Sequence, residues 1–371
     1  MTNLIYGKLN RRRLLQKTAT TAVGVAASSL AVRFAAAADN TVTVTDGGGA
    51  WGAAQKAAYF EPFEKETGIK VVLVPYALPG KIKASIEAGA PIADVADLSG
   101  SQLPSFGRAG LLEEIDTKYF NADDLNNLHP VKADRFGVPS LFGAIVVAFD
   151  NGAFKESKPA TWSDFWNTEK FPGPRSLADG GTLTVAHTFE IALLADGVAP
   201  EKLYPIDWDR AFKSLDQIRP NISKFWTGFA EPVQLIVDQS AALASAYNGR
   251  VTSAQADGAS IDFSWDQAVL GWDHWVVPKG AKNLDNALKF IAFATRADRQ
   301  AEFAKLIDYG PTNARAYDLL SPERSAKLPT SPAVKDKLVI TNFEWWASEA
   351  SPGVSNEVQA TRLWEQWLKK A

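Results

Sequence analysis

The chain has 371 residues, 46% of them hydrophobic, and a formal net charge of −3, which is enough apolar chain for two ordinary domains and excludes disorder. Six basic and no acidic side chains fall in the first 38 residues, so the remainder carries −9; such a balance argues against nucleic acid, whose binding runs on Lys and Arg against phosphate. There is no cysteine, and the three histidines at 129, 187 and 274 lack metal-ligand spacing, so disulfides, thiolate catalysis and a zinc centre drop out.

Residues 1–38 read as an export leader. A basic start is followed by a 15-residue run rich in Ala, Val and Thr (18–32), too short to span a bilayer, and then by Ala35–Ala38 as a small-residue cleavage site. Asn10-Arg11-Arg12-Arg13-Leu14-Leu15-Gln16 resembles a twin-arginine signal, with an ordinary Sec signal as the alternative. Either route implies an exported, soluble mature protein.

From there strands and helices alternate, which predicts a mainly parallel α/β sheet. Residues 41–45 alternate as a strand and run into Asp46-Gly47-Gly48-Gly49. A helix is expected over 53–65, broken or restarted at Pro62. The glycine turn, with Trp51 beside it, either presents backbone N–H groups to an anion or is a plain tight turn. The β-branched run 69–75 predicts a buried strand. A second apolar run, 92–98, ends in Ser99-Gly100-Ser101, whose hydroxyls are either ligand donors or helix caps. Residues 138–149 break the rhythm and read as a crossing segment. A second α/β unit follows, with helices over 162–166, 185–195 and 208–218 and a loop at Phe225-Trp226-Thr227-Gly228. The tail offers an amphipathic helix over 284–293, a rigid Tyr309-Gly310-Pro311 loop, a proline-rich linker over 321–332, an aromatic loop at Phe343-Glu344-Trp345-Trp346, and a closing helix over 354–368.

The stretch 247–280 carries the chemistry. An apolar strand ends at Tyr247 and meets the turn pair Asn248-Gly249, followed at once by Arg250. A second strand begins at 261–265, and Trp272-Asp273-His274-Trp275 leads into Val276-Val277-Pro278. One cation, one carboxylate and several aromatic rings therefore sit at strand ends, where ligands lie in open α/β sheets. Arg250 suits a carboxylate through a two-pronged bond, Asp273 an ammonium, and Trp51, Trp226, Trp272 and Trp346 an alkyl chain or a cation face. The alternatives are an Arg250–Asp273 pair closed on itself and tryptophans that are simply core. No GxSxG elbow is present, and the pairs Glu113-Glu114 and Asp123-Asp124 read as solvated faces. An exported enzyme on the same scaffold is the competing class.

YNGR followed by GWDHWVVPKGAKN, with ETGIKVVLVPY, FGVPSLFGAIVVAFDNGAF, TWSDFW, KFPGPR and DYGPTNARAYDLL in that order, resembles the extracellular solute-binding proteins of ABC importers, in the spermidine/putrescine-binding branch. The resemblance implies a type II-like two-lobe periplasmic-binding-protein fold, with mixed sheets flanked by helices and a ligand cleft between the lobes. It places lobe one at 39–147 plus 277–322 and lobe two at 148–276 plus 323–371. It implies an amine-binding acid at Asp273, an aromatic at Tyr247 against the ligand's chain, and further contacts near Ser99, Ser101, Asp179, Tyr309 and Trp346. Arg250 matches members that bind ω-amino acids such as γ-aminobutyrate, with polyamine binding as the alternative. A monomeric periplasmic binder that hands its solute to an inner-membrane permease, with no cofactor, is the expected function.

Overall fold

The computed structural model of the protein describes residues 40–181, 187–331 and 333–370; the leader expected at 1–38 lies outside them. Strand β1 (Thr41–Asp46) forms where threonine and valine alternate, so that Val42 and Val44 turn into the core. It pairs in parallel with β2 (Lys70–Pro75). The expectation of a buried strand over 69–75 is corrected here. β2 has one neighbour, its residues are mostly exposed, and Val72 and Leu73 each keep 41% of their surface in water. A β-branched run reports strand propensity, which an edge strand satisfies as well as a central one.

The connection between β1 and β2 is helical from Gly49 onward: an α-segment Gly49–Gln55, a π-segment Lys56–Phe60 and a second α-segment Glu61–Thr67. Pro62 does not end the helix. It sits in the first turn after the π-segment, where its missing N–H and its ring are accommodated.

The main sheet is built from β3 (Ala96–Ser99), β4 (Gly137–Asp150), β5 (Arg175–Ala178), β6 (Ile222–Trp226), β7 (Leu243–Tyr247), β8 (Ile261–Val276) and β9 (Val339–Ile340). Among the described residues their order is β3-β8-β4-β7-β5-β6, with β9 beside β8. A hairpin of β10 (Glu349–Ser351) and β11 (Val354–Ser355) stands apart. The sheet is mixed: β3, β4, β7 and β8 pair antiparallel, whereas β5 pairs in parallel with β6 and β7. The crossing segment at 138–149 is one strand of 14 residues, β4, buried along all but its last residue, and β8 beside it runs for 16. Pro139 cannot donate to a ladder and falls where the β4–β8 register shifts.

Two of the larger apolar cores among the described residues lie along this pair. One gathers Val42, Val44, Phe63, Val95, Val138, Trp275, Phe290 and Phe303 under β1 and the helices Leu284–Ala294 and Ala297–Leu306. The other gathers Trp162, Phe165, Phe189, Leu215, Trp226 and Trp364 under β5 and the helices Thr188–Ala195, Trp208–Ile218 and Asn356–Leu368. Thr161 caps the short helix Trp162–Trp166 in a reciprocal box with Asp164. This is the mixed, helix-flanked two-lobe arrangement. No helix among the described residues is long and apolar enough to cross a membrane.

Candidate functional site

Strand alternation brings the chemistry together. β3 pairs antiparallel with β8 so that Ser99 stands opposite Asp273, and β4 sets Leu141 against Asp273 from the other side. Because side chains repeat every second residue, Asp97 and Ser99 share a face of β3 with Asp273. β7 ends at Tyr247, opposite Ile145 of β4. The expected turn after it is instead a helix, Asn248–Ala256, which places Arg250 in its first turn. Asn248 fixes that helix start: its Oδ1 accepts from the Ala144 N–H at 3.0 Å, and its Nδ2 donates to the Asp308 carbonyl. Gly249 packs so closely on Tyr309 that a Cβ there would lie 2.8 Å from the ring. Tyr309 in turn stands against Trp51, ring centres 6.3 Å apart.

The resulting pocket is lined by Trp51, Ser99, Tyr247, Arg250, Trp272, Asp273 and Tyr309. Sequence reasoning missed the rest of the lining: the glycines Gly143 and Gly271, and the side chains of Tyr76, Asp97, Gln102, Leu141, His187, Phe229 and Phe343. Tyr76 and Phe229 meet edge to face at 6.0 Å, and Phe229 meets Tyr247 at 5.7 Å. Trp272 packs on Phe343 at 4.6 Å. Asp97 carried a signal: it interrupts the apolar run 92–98, and an acid that interrupts a buried run is the informative kind of exception. Nothing in spacing pointed to Tyr76, Phe229 or Phe343.

Four residues expected at the site lie outside the lining. Trp226 is fully buried and donates its indole N–H to Ser245 Oγ at 3.1 Å. Trp346 is buried and donates to Glu190 Oε1 at 2.7 Å. Asp179 accepts from Trp364 Nε1 at 3.0 Å and from the Gly181 N–H at 3.0 Å. Ser101 reaches the pocket only through Ser99, with the two hydroxyls 3.2 Å apart. In each case packing or a neighbouring polar group engages the side chain.

The pocket lining carries one arginine and two aspartates. Arg250 and Asp273 line one pocket, yet among the described residues they form no ion pair. Arg250 Nε and Trp51 Nε1 are buried with no acceptor, and among the described residues no side chain donates to the Asp273 carboxylate. Burial pushes Asp273 up to about 7. Asp97 is raised well above the usual carboxylate range, first by burial and then by the charge of Asp273. Tyr309 is pushed up to about 12 by burial, with Arg250 pulling the other way and Asp273 adding to the rise. Along the wall, His187 adopts a left-handed backbone (φ 61°) and sits 3.8 Å from Glu190 Oε1, which also accepts from the Tyr204 hydroxyl at 2.7 Å. Burial works to raise Glu190, but these partners outweigh it and hold it low.

The chain is similar to several known proteins. A γ-aminobutyric acid-binding protein of Pseudomonas aeruginosa is 36% identical over 328 residues, 86% of this chain and 91% of that one. The spermidine/putrescine-binding periplasmic protein of Escherichia coli is 27% identical over 319 residues, 84% of this chain and 86% of that one. A crystal structure of an ABC transporter substrate-binding protein from Bradyrhizobium japonicum superposes with a TM-score of 0.80 at 34% identity, covering 88% of this chain and 99% of that one. These relatives are solute-binding proteins, the class the sequence led one to expect. The family model for bacterial extracellular solute-binding proteins matches residues 58–335, and the chain belongs to that family.

Proposed function

We propose that the protein is a monomeric periplasmic receptor that captures a small ω-amino acid of the γ-aminobutyrate type and delivers it to an inner-membrane ABC permease. One observation carries this reading. Donors without acceptors (Arg250 Nε, Trp51 Nε1) and an acidic acceptor (Asp273) line the same pocket and do not satisfy each other. A zwitterion with separated charges completes both ends, its carboxylate on Arg250 and its ammonium on Asp273. Tyr247, Tyr309 and Trp272 would then flank its alkyl chain. The γ-aminobutyric acid-binding relative supports the same class.

The second reading is a polyamine, favoured by Asp97 as a further acid beside Asp273 and by the polyamine-binding relative. Titrating 4-aminobutyrate and putrescine against wild type and Arg250→Ala by tryptophan fluorescence decides between them. Truncating one partner of a buried charge pair costs about 2–5 kcal/mol, so Arg250→Ala should weaken 4-aminobutyrate at least tenfold and leave putrescine unharmed or improved. Tight putrescine binding to wild type, indifferent to the arginine, overturns the ω-amino acid reading. Export through the twin-arginine route, with cleavage after Ala37 or Ala38, belongs to the same proposal and rests on Arg11, Arg12 and the alanine run.

A further inference from the structure

Asp97 is the residue of the pocket whose position the binding of one ammonium on Asp273 does not explain. It is 4% exposed and lines the cavity. It lies on the Asp273 face of β3, two residue pairs along the β3–β8 ladder. The side-chain hydrogen bond it accepts, from Ser140 Oγ, is long at 3.4 Å. The groups that face it from each packed element are Ser140 of β4, Asp273 of β8, Tyr59 of the π-segment and Tyr76 after β2. None is a cation. Arg299 acts from beyond Tyr59 and is bonded to Asp298 at 2.9 Å. A buried Asp97 and a half-buried Asp273 thus line the same pocket without an ion pair to any cation among the described residues, and the charge of Asp273 disfavours ionisation of Asp97.

We propose that Asp97 and Asp273 form a two-acid clamp that selects a primary ammonium group, and that this group displaces a proton the acid pair holds when empty. The proposal rests on the reading that the ligand's amine lies at Asp273. A primary ammonium has three N–H donors, enough to bond both carboxylates and the Ser99 hydroxyl. A trimethylammonium has none, so it would give neither acid a hydrogen bond, however well its methyl groups met the surrounding rings. An ionised pair holds the ammonium more strongly than a protonated one, because each bond is then charge-assisted, so a proton leaves as the ammonium enters.

Isothermal titration of the mature wild-type protein at pH 6.5, in phosphate and again in imidazole buffer, reads the protons released per ligand. The probes are 4-aminobutyrate, its N,N,N-trimethyl analogue and putrescine. About one proton should leave per primary amine bound, and the trimethyl analogue should bind at least a hundredfold more weakly than 4-aminobutyrate. Asp97→Asn should weaken the primary amine at least tenfold, cut the proton release and narrow the discrimination against the trimethyl analogue. The first two readouts need no variant, so a poorly folding Asp97→Asn does not spare the idea. Equal binding of the trimethyl analogue, no proton release by wild type, or an Asp97→Asn protein that keeps its affinity, proton count and selectivity overturns the clamp while leaving the amine receptor standing. Failure of both 4-aminobutyrate and putrescine to bind wild type overturns the amine reading and the clamp together.

Discussion

Replacing Asp273 with asparagine should stabilise the empty protein, and only at neutral and alkaline pH. Asp273 is held at about 7 against an ordinary 3.8. A gap of about three pH units corresponds to ~4 kcal/mol. The carboxylate keeps part of its surface in the open pocket, so solvent screening brings the usable figure to ~2 kcal/mol. The sign follows from the direction. A carboxyl raised in the folded state favours folding below about pH 4 and surrenders that advantage as pH climbs through about 7. The amide of the variant never ionises, so the melting temperature of Asp273→Asn minus that of wild type should be near zero at pH 4 and reach about 3–6 °C at pH 8. Differential scanning fluorimetry without ligand across that range measures it, and taking the difference cancels the carboxylates that pull the other way, such as Glu113 and Asp298. A variant that is less stable than wild type at pH 8, or a difference that does not change with pH, would refute the reasoning. The same variant should lose binding of any amine, which makes this acid a stability liability kept for function.

Trp346→Phe removes one of the donors to the buried Glu190, whose Oε2 already lacks a partner. It should cost about 1–3 kcal/mol in urea denaturation with ligand affinity within twofold, and a large change in affinity would put Trp346 back in the site. Replacing Arg11 and Arg12 by Lys should leave the precursor in the cytoplasm on fractionation, and normal export of that variant would point to the Sec route.

Much of this was legible in the residues. Arg250 and Asp273 stood out as a fixed cation and an acid beside apolar runs, although Asp273 proves to lie within β8, paired on both sides, and not at a strand end. Ser99 and Tyr247 do end their strands, whereas Tyr309 came from the family resemblance. Trp226, Trp346 and Asp179 mark the limit. Sequence shows that an indole or a carboxylate is present near a strand end, but not that Ser245, Glu190 or Trp364 waits to bond it. Tyr76, Phe229 and Phe343 are the converse: they meet at the pocket only because distant segments converge, and no local pattern encodes that. The edge status of β2 was hidden likewise, since a strand's second neighbour is a property of the assembled sheet.

The two long strands have a mechanical consequence. β4 and β8 lie side by side, paired from Gly137↔Val276 to Asp150↔Ile261, with the register shifting at 139–141 and again at 145–147, where residues 265–268 of β8 have no partner on β4. A ribbon laced this way resists sliding, because any shear would break a row of hydrogen bonds at once, but it flexes readily across its flat face. The slipped positions are where its stiffness falls, since a bulge leaves a residue unpaired and already bent. The ribbon therefore has two soft points, one on each side of the stretch of β4 that faces Trp272 and Asp273, and bending is easiest there.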